Sequence, residues 1–158
     1  MKTAVVFYSL DGNCAFIARE IKAMMDAELI RIHTKDEKVR TGISKFFWSM
    51  GMVPKKYPAV KPVAFDPAAY DLIIIGAPVW ASSPASPVRT FAKEAGIKDK
   101  KIALYVCHAG GMGDALKKFK ALFHGNNIAS EIDFNTPGKM KNIEEIKLRI
   151  SDWVEKLK

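Results

Sequence analysis

The sequence predicts a doubly wound α/β domain built on a parallel sheet of five strands. Apolar runs of strand length, rich in Val, Ile and aromatic residues, alternate along the chain with segments of helical period. Some of these runs are apolar on both faces, which is typical of strands in a sheet that helices cover on both sides. The strict alternation of strand and helix favours this architecture.

Five runs predict the strands in chain order. They are AVVFY at 4–8, ELIRI at 28–32, DLIIIGA at 71–77, KIALYVC at 101–107 and ASEIDF at 129–134. Three sets of apolar residues repeat at three and four positions, which places each set on one face of a helix. The sets are Ile17, Ile21 and Met24; Met112, Ala115, Leu116, Phe119, Leu122 and Phe123; and Ile143, Ile146, Ile150, Trp153, Val154 and Leu157.

The 158 residues are predicted to form a single domain, 1–158, with an extended second crossover at about 34–66. Four apolar residues of this crossover share one helical face: Ile43, Phe46, Phe47 and Met50. The simplest interpretation is a helix that covers the sheet. A surface for a partner or a lipid, centred on Trp48 and the lysines around it, is the second interpretation.

Composition indicates the cellular environment of the protein but does not identify its partner. Two cysteines and no apolar leader indicate a reducing cytoplasm, and no apolar run reaches the roughly 18 residues of a membrane-spanning helix. We expect Cys14 and Cys107 to stay free, because the third strand would lie between their strands. The formal net charge of +8 is compatible with nucleic acid, acidic lipid or an acidic protein.

The first strand leads into a polar turn, SLDGN, that precedes a helix. In a doubly wound sheet, ligands bind beyond the carboxyl ends of the strands, where this turn lies. A hydroxyl, an amide, a glycine backbone and the unpaired N–H groups of a helix start together suit a phosphate. The same residue types also suit an ordinary helix N-cap, so both interpretations remain open.

Two further loops follow strands that end at the same edge. The stretch PVWASSPASPVRTF carries Trp80 and several small hydroxyl residues, and HAGGMGD is rich in glycine. An aromatic plane on one loop and close backbone on the other suit a flat polar ring system. His108 is either a neighbour of that ring or a capping residue, and Arg89 is interpreted as a helix surface residue.

Together, YSLDGN, GAPVWASSPASPVRTF and CHAGGMG resemble the three FMN-binding loops of the flavodoxin family, in order and spacing, over essentially the whole chain. The resemblance implies a flavodoxin-like three-layer sandwich with strand order 2-1-3-4-5 and FMN as the cofactor. The cofactor-binding residues that it implies are Ser9, Leu10, Asp11, Gly12, Asn13 and Cys14 in the first loop; Pro78, Val79, Trp80, Ala81 and Ser82 in the second; and His108, Ala109, Gly110 and Gly111 in the third. It implies no catalytic residue and no metal.

The chain also departs from the family's usual pattern. Relatives commonly have threonine at the positions of Asp11 and Cys14, and often a glycine near Ser82. Electron-carrying flavodoxins are usually acidic, whereas this chain has a formal net charge of +8. We therefore expect Asp11 to point away from a bound phosphate or to be offset by the helix N-terminus.

The sequence lacks the residues that other ligand sites on this kind of sheet would need. A phosphoaspartate receiver needs an aspartate at the end of the third strand, where this chain has Gly76, Ala77 and Pro78. The glycine pattern of a dinucleotide site is incomplete, and the Walker pattern for a nucleotide phosphate is missing. The three histidines are scattered along the chain, so they do not predict a metal site.

Three functions remain: a flavodoxin-type electron carrier, a small NAD(P)H-dependent FMN-containing flavin or quinone reductase, and a flavodoxin-like domain that has lost FMN. The expected partners are redox proteins, acidic ones included, with no nucleic acid, no integral membrane contact, and a monomer or weak dimer.

Overall fold

The computed structural model describes residues 1–35, 58–135 and 143–158. Within these ranges one sheet contains five parallel strands: β1 (Thr3–Phe7), β2 (Ala27–Arg31), β3 (Leu72–Trp80), β5 (Lys101–His108) and β6 (Asn127–Asn135). A two-residue strand, β4 (Ser83–Pro84), pairs antiparallel with the end of β3. The order β2-β1-β3-β5-β6 confirms the predicted order of the five parallel strands, with β4 as an addition.

In the described ranges, four helices cover the two faces of the sheet. They are α1 (Asn13–Met24), α2 (Ser86–Glu94), α3 (Ala115–Leu122) and α4 (Ile143–Glu155), with a short 3₁₀ turn at Pro67–Ala69. The apolar faces of α1 and α4 pack with one side of the sheet, and those of α2 and α3 pack with the other. The three layers predicted from the alternating pattern are therefore confirmed.

The position of each strand explains its sequence pattern. In the central strand β3, Leu72 to Ala77 are all buried, because helices cover both faces at that point. The edge strand β6 alternates between exposed and partly buried residues over most of its length. A residue such as Glu131 is tolerated there because its side chain is exposed and accepts from the Lys120 ammonium at 3.1 Å.

The second loop contains more regular structure than its composition suggested. β3 continues three residues beyond the predicted run, to Trp80, and α2 begins at Ser86 inside the stretch predicted as a Pro-rich loop. Pro87 lies in the first turn of α2, where a missing backbone N–H costs no helical hydrogen bond. Arg89 lies on α2 and is partly buried.

The predicted crossover helix, with Ile43, Phe46, Phe47, Met50 and the Trp48 surface, lies outside the described residues. On either side of that stretch, Thr34 and Val60 form an isolated antiparallel bridge. Among the helices that the structure describes, none is long and apolar enough to cross a membrane.

Candidate functional site

A cavity of about 200 Å³ opens where β1, β3 and β5 end. It brings together residues of all three predicted loops: Ser9, Leu10, Asp11, Asn13 and Cys14 from the first, Pro78, Val79 and Trp80 from the second, and Cys107, His108 and Ala109 from the third. Cys107 is the lining residue that the sequence did not place at the site. The other predicted residues, Gly12, Ala81, Ser82, Gly110 and Gly111, belong to the same loops but do not line the cavity.

The first loop presents the start of α1 to the cavity. Gly12 precedes the helix in the left-handed region, at φ 88°, and its carbonyl accepts the first helical hydrogen bond from Phe16, at 2.8 Å. The amide of Ala15 donates to the buried Ser9 hydroxyl at 3.3 Å. The preceding amides, those of Asn13 and Cys14, have no acceptor within the helix. Of the two interpretations of this turn, the contact with Ala15 matches the capping one, and the Ser9 hydroxyl keeps a proton that it can donate.

Arg31 adds a positive charge to this loop. Its guanidinium donates from Nη2 to the carbonyl oxygen of Ser9 at 2.9 Å, from the carboxyl end of β2. The opposite charge, the carboxylate of Asp11, is on an exposed residue at the rim. Sequence analysis did not select Arg31, although a cation at the end of a strand beside β1 was a usable signal.

A side chain of β5 supports the first loop from below. The Tyr105 hydroxyl donates to the carbonyl oxygen of Cys14 at 2.9 Å, although β3 lies between β5 and β1. The phenol crosses β3 over Gly76, where a Cβ would overlap the ring. Burial raises the pKa of Tyr105 well above its usual value, so the hydroxyl stays protonated as a donor.

The two cysteines meet at the floor of the cavity. Both are free and buried, as expected for the thiols of this chain. Burial, followed by a hydrogen bond with Cys107, raises the pKa of the Cys14 thiol well above its usual value. The expectation that β3 separates them was wrong, because Cys14 belongs to α1, which crosses the face of the sheet, rather than to β1.

The second loop is a tight hairpin. β3 and β4 are joined by Ala81 and Ser82, which both have positive φ, 48° and 54°. Trp80, at the start of this turn, lines the cavity but is only 7% exposed, since its ring packs edge-on against Tyr8 at 5.7 Å.

The third loop contacts the second. The position of a Cβ on Gly113 is occupied by the side chain of Ser82, and the Lys118 ammonium donates to the Ser82 carbonyl oxygen at 2.8 Å. His108 holds its own loop, because its Nδ1 accepts from the amide of Gly111 at 3.1 Å and its Nε2 lies 3.0 Å from Oδ2 of Asp133. Of the two interpretations of His108, the capping one matches these contacts. Asp133, on β6, was not selected from the sequence because nothing in its local pattern points to the third loop.

Comparison with known proteins agrees with this geometry. A family model described as flavodoxin matches residues 2–157. The chain belongs to the flavodoxin family. No curated protein matches the sequence of this flavodoxin-family chain.

Several solved structures share the fold of this flavodoxin-family protein. A flavoprotein from Bacteroides uniformis is 20% identical with a TM-score of 0.77, over 98% of this chain and 97% of that one. A flavoprotein from Lactobacillus acidophilus, solved in complex with FMN, is 22% identical with a TM-score of 0.70, over 91% and 97%. The two-electron reduced flavodoxin of Megasphaera elsdenii is 21% identical with a TM-score of 0.62, over 97% and 98%.

Proposed function

We propose that this protein binds FMN in the cavity at the ends of β1, β3 and β5 and transfers electrons between redox partners. The observation that carries the proposal is the convergence of a helix start, an aromatic hairpin and a glycine-rich loop on one cavity, in a chain of the flavodoxin family. The Lactobacillus acidophilus flavoprotein of the same fold was solved with FMN.

The donors of the first loop fit the phosphate end of FMN. The amides of Asn13 and Cys14 and the hydroxyl of Ser9 supply neutral donors, and the positive end of the α1 dipole favours an anion. Arg31 contributes a full positive charge from beside the loop, where it donates to the Ser9 carbonyl oxygen. The site therefore suits a terminal phosphate, although this chain lacks the usual threonines.

The second and third loops fit the ring system. Trp80 and Val79 supply apolar surface on one side of the cavity, and the backbone of His108 and Ala109 supplies edge hydrogen bonds on the other. FMN, when bound, supplies the electron-transfer chemistry; the protein supplies binding, orientation and electrostatics. Ala81, Ser82, Gly110 and Gly111 shape these two loops without lining the cavity.

The charge of the chain favours acidic redox partners. A formal net charge of +8 attracts an acidic protein and repels a basic one, and salt screens this attraction over about 8 Å at physiological strength. A cytoplasmic location follows from the two free thiols under this proposal.

The proposal is tested by titrating the apoprotein with FMN and with riboflavin and following flavin fluorescence. FMN is expected to bind more tightly, because riboflavin lacks the phosphate that the first loop holds. Arg31→Met should weaken FMN by about 2- to 12-fold, the value of one net hydrogen bond, and riboflavin much less. The matched control is Arg19→Met, on the exposed face of α1. Equal affinity for the two flavins would remove the phosphate argument.

Anaerobic NADPH distinguishes the carrier from a reductase. For an electron carrier, NADPH alone should bleach the bound flavin slowly, because reduction normally comes from a protein partner. Rapid, stoichiometric bleaching at low NADPH would instead identify a small NAD(P)H-dependent flavin or quinone reductase.

A further inference from the structure

Both ring nitrogens of His108 are engaged by the protein. Asp133 is an acceptor when ionised, so Nε2 must carry the proton that is shared with it at 3.0 Å. The amide of Gly111 can only donate, so Nδ1 must be unprotonated to accept from it at 3.1 Å. The side chain of His108 is only 10% exposed, which limits the competition of water for both bonds. One neutral tautomer satisfies both partners.

Gly111, whose amide donates to this ring, lies at the turn of the third loop. It has a φ of 143°, in a region that L side chains rarely adopt, and no atom of the described residues lies within 4 Å of the position of its Cβ. The bond from its amide to Nδ1 is a contact that holds this turn. Two residues further on, Gly113 packs against Ser82, so the position of Gly111 also affects where the third loop meets the second.

We propose that His108 is a positioning residue whose neutral imidazole holds the third loop in the shape that binds FMN, and whose protonation releases that loop. The proposal rests on FMN binding at this cavity. A proton on Nδ1 would face the Gly111 amide, and two donors cannot share a hydrogen bond. The bond from Nε2 to Asp133 survives, so the ring stays in place while the loop loses its anchor. FMN affinity therefore falls when a proton is added to Nδ1 of His108.

Charged groups surround the His108 ring on three elements. Asp133 of β6 favours the imidazolium, and Asp11 of the first loop lines the same cavity with the same sign of charge. On α4, the Arg149 guanidinium donates to the Asp133 carbonyl oxygen at 3.1 Å and opposes the imidazolium. None of these groups changes which form of the ring can accept from Gly111.

Two measurements on the protein test the proposal. In the apoprotein, the NMR shifts of the His108 ring and the Gly111 amide are expected to change together as the pH is lowered. In FMN titrations between pH 8 and pH 5, the dissociation constant should rise by about 2- to 12-fold, as for one lost hydrogen bond.

Three variants separate positioning from general stability. His108→Asn places an amide oxygen near the position of Nδ1, and this oxygen can accept from Gly111 at every pH. The part of the pH dependence that comes from His108 should therefore disappear in this variant. His108→Leu should bind weakly at every pH while keeping the parent circular dichroism. The control His124→Asn, at the exposed end of α3, should retain the parent pH profile.

Each outcome decides a different point. The proposal is wrong if the Gly111 amide signal does not follow the His108 ring signal as the pH is lowered, or if His108→Asn keeps the full pH dependence of the parent. If the two signals change together but FMN does not bind at any pH, then the loop anchor is correct and the proposed cofactor is wrong.

Discussion

Gly76 is the residue whose missing side chain matters most to the site. It lies on the buried strand β3 directly beside Tyr105 of β5, and the Tyr105 ring occupies the space that a Cβ would need. This overlap is what allows the phenol to cross a strand and donate to the carbonyl oxygen of Cys14. One glycine in the sheet thus permits a contact between β5 and the first loop.

We predict that Gly76→Ala lowers the free energy of unfolding by about 1–3 kcal/mol, the usual cost of overpacking a core. The new methyl group overlaps the Tyr105 ring, which must move and lose its hydrogen bond. Urea denaturation of the apoprotein measures the change. Gly110→Ala is the matched control, because its Cβ would meet no atom within 4 Å in the part of the chain that the structure describes. Equal losses in both variants would contradict the role assigned to Tyr105.

At the scale of elements, the hairpin between β3 and β4 has an unusual composition. A two-residue turn with positive φ at both positions favours Asn and Gly, because other residues are strained there. This turn instead uses Ala81 and Ser82, at 48° and 54°. It joins the strand that carries Trp80 to the start of α2, so the strain lies in the second loop of the site. Such strain is found where a structure holds a loop for function.

We predict that Ala81→Gly raises the free energy of unfolding by about 0.5–1 kcal/mol, because glycine adopts positive φ without strain. The exposed position of Ala81 means that little packing is lost with its methyl group. The matched control is Ala92→Gly within α2, where the same change should cost about 0.5–1 kcal/mol. Thermal and urea unfolding measure both. If Ala81→Gly destabilises the protein as Ala92→Gly does, the turn is not strained.

At the scale of the whole molecule, the sheet face under α1 buries several groups that ionise only at high pH. Cys14 and Tyr105 both have pKa values raised well above normal, in each case chiefly by burial. At the other end of β3, the Tyr70 hydroxyl donates to Glu28 at 2.6 Å, and this bond raises the pKa of Tyr70 to about 12. All three groups are neutral in the folded protein at neutral pH.

We predict that stability falls steadily as the pH rises above about 9. The unfolded chain ionises these groups near their ordinary pKa values of about 8.5–10, whereas the folded chain still holds the protons. The unfolded state therefore binds fewer protons, and stability is lost by up to about 1.4 kcal/mol per pH unit for each group. Urea midpoints between pH 7 and pH 11 measure the slope. Cys14→Ala should reduce the slope, and an unchanged slope would exclude this thiol as a cause.

The pattern of the sequence predicted the fold because each layer leaves a local signal. The runs DLIIIGA and KIALYVC, which are apolar on both faces, became the buried strands β3 and β5. The apolar residues at helical spacing became the buried faces of α1, α3 and α4. The hairpin at Ala81 and the start of α2 were hidden, because serines and prolines suit loops and helix starts equally well. The order of the strands came from the family resemblance, since periodicity alone does not say which strands are neighbours.

Local patterns in the sequence were enough to predict the layers, the three loops and the edge of the sheet where the loops meet, together with the rule that ligands bind at the carboxyl ends of strands. The surroundings of each site residue became visible in the folded structure. Arg31 reaches Ser9, Asp133 reaches His108, and Cys14 meets Cys107 across 22, 25 and 93 positions of the printed sequence. Such contacts depend on strand order and helix direction. No local pattern encodes them, because the partners come together only when the layers pack.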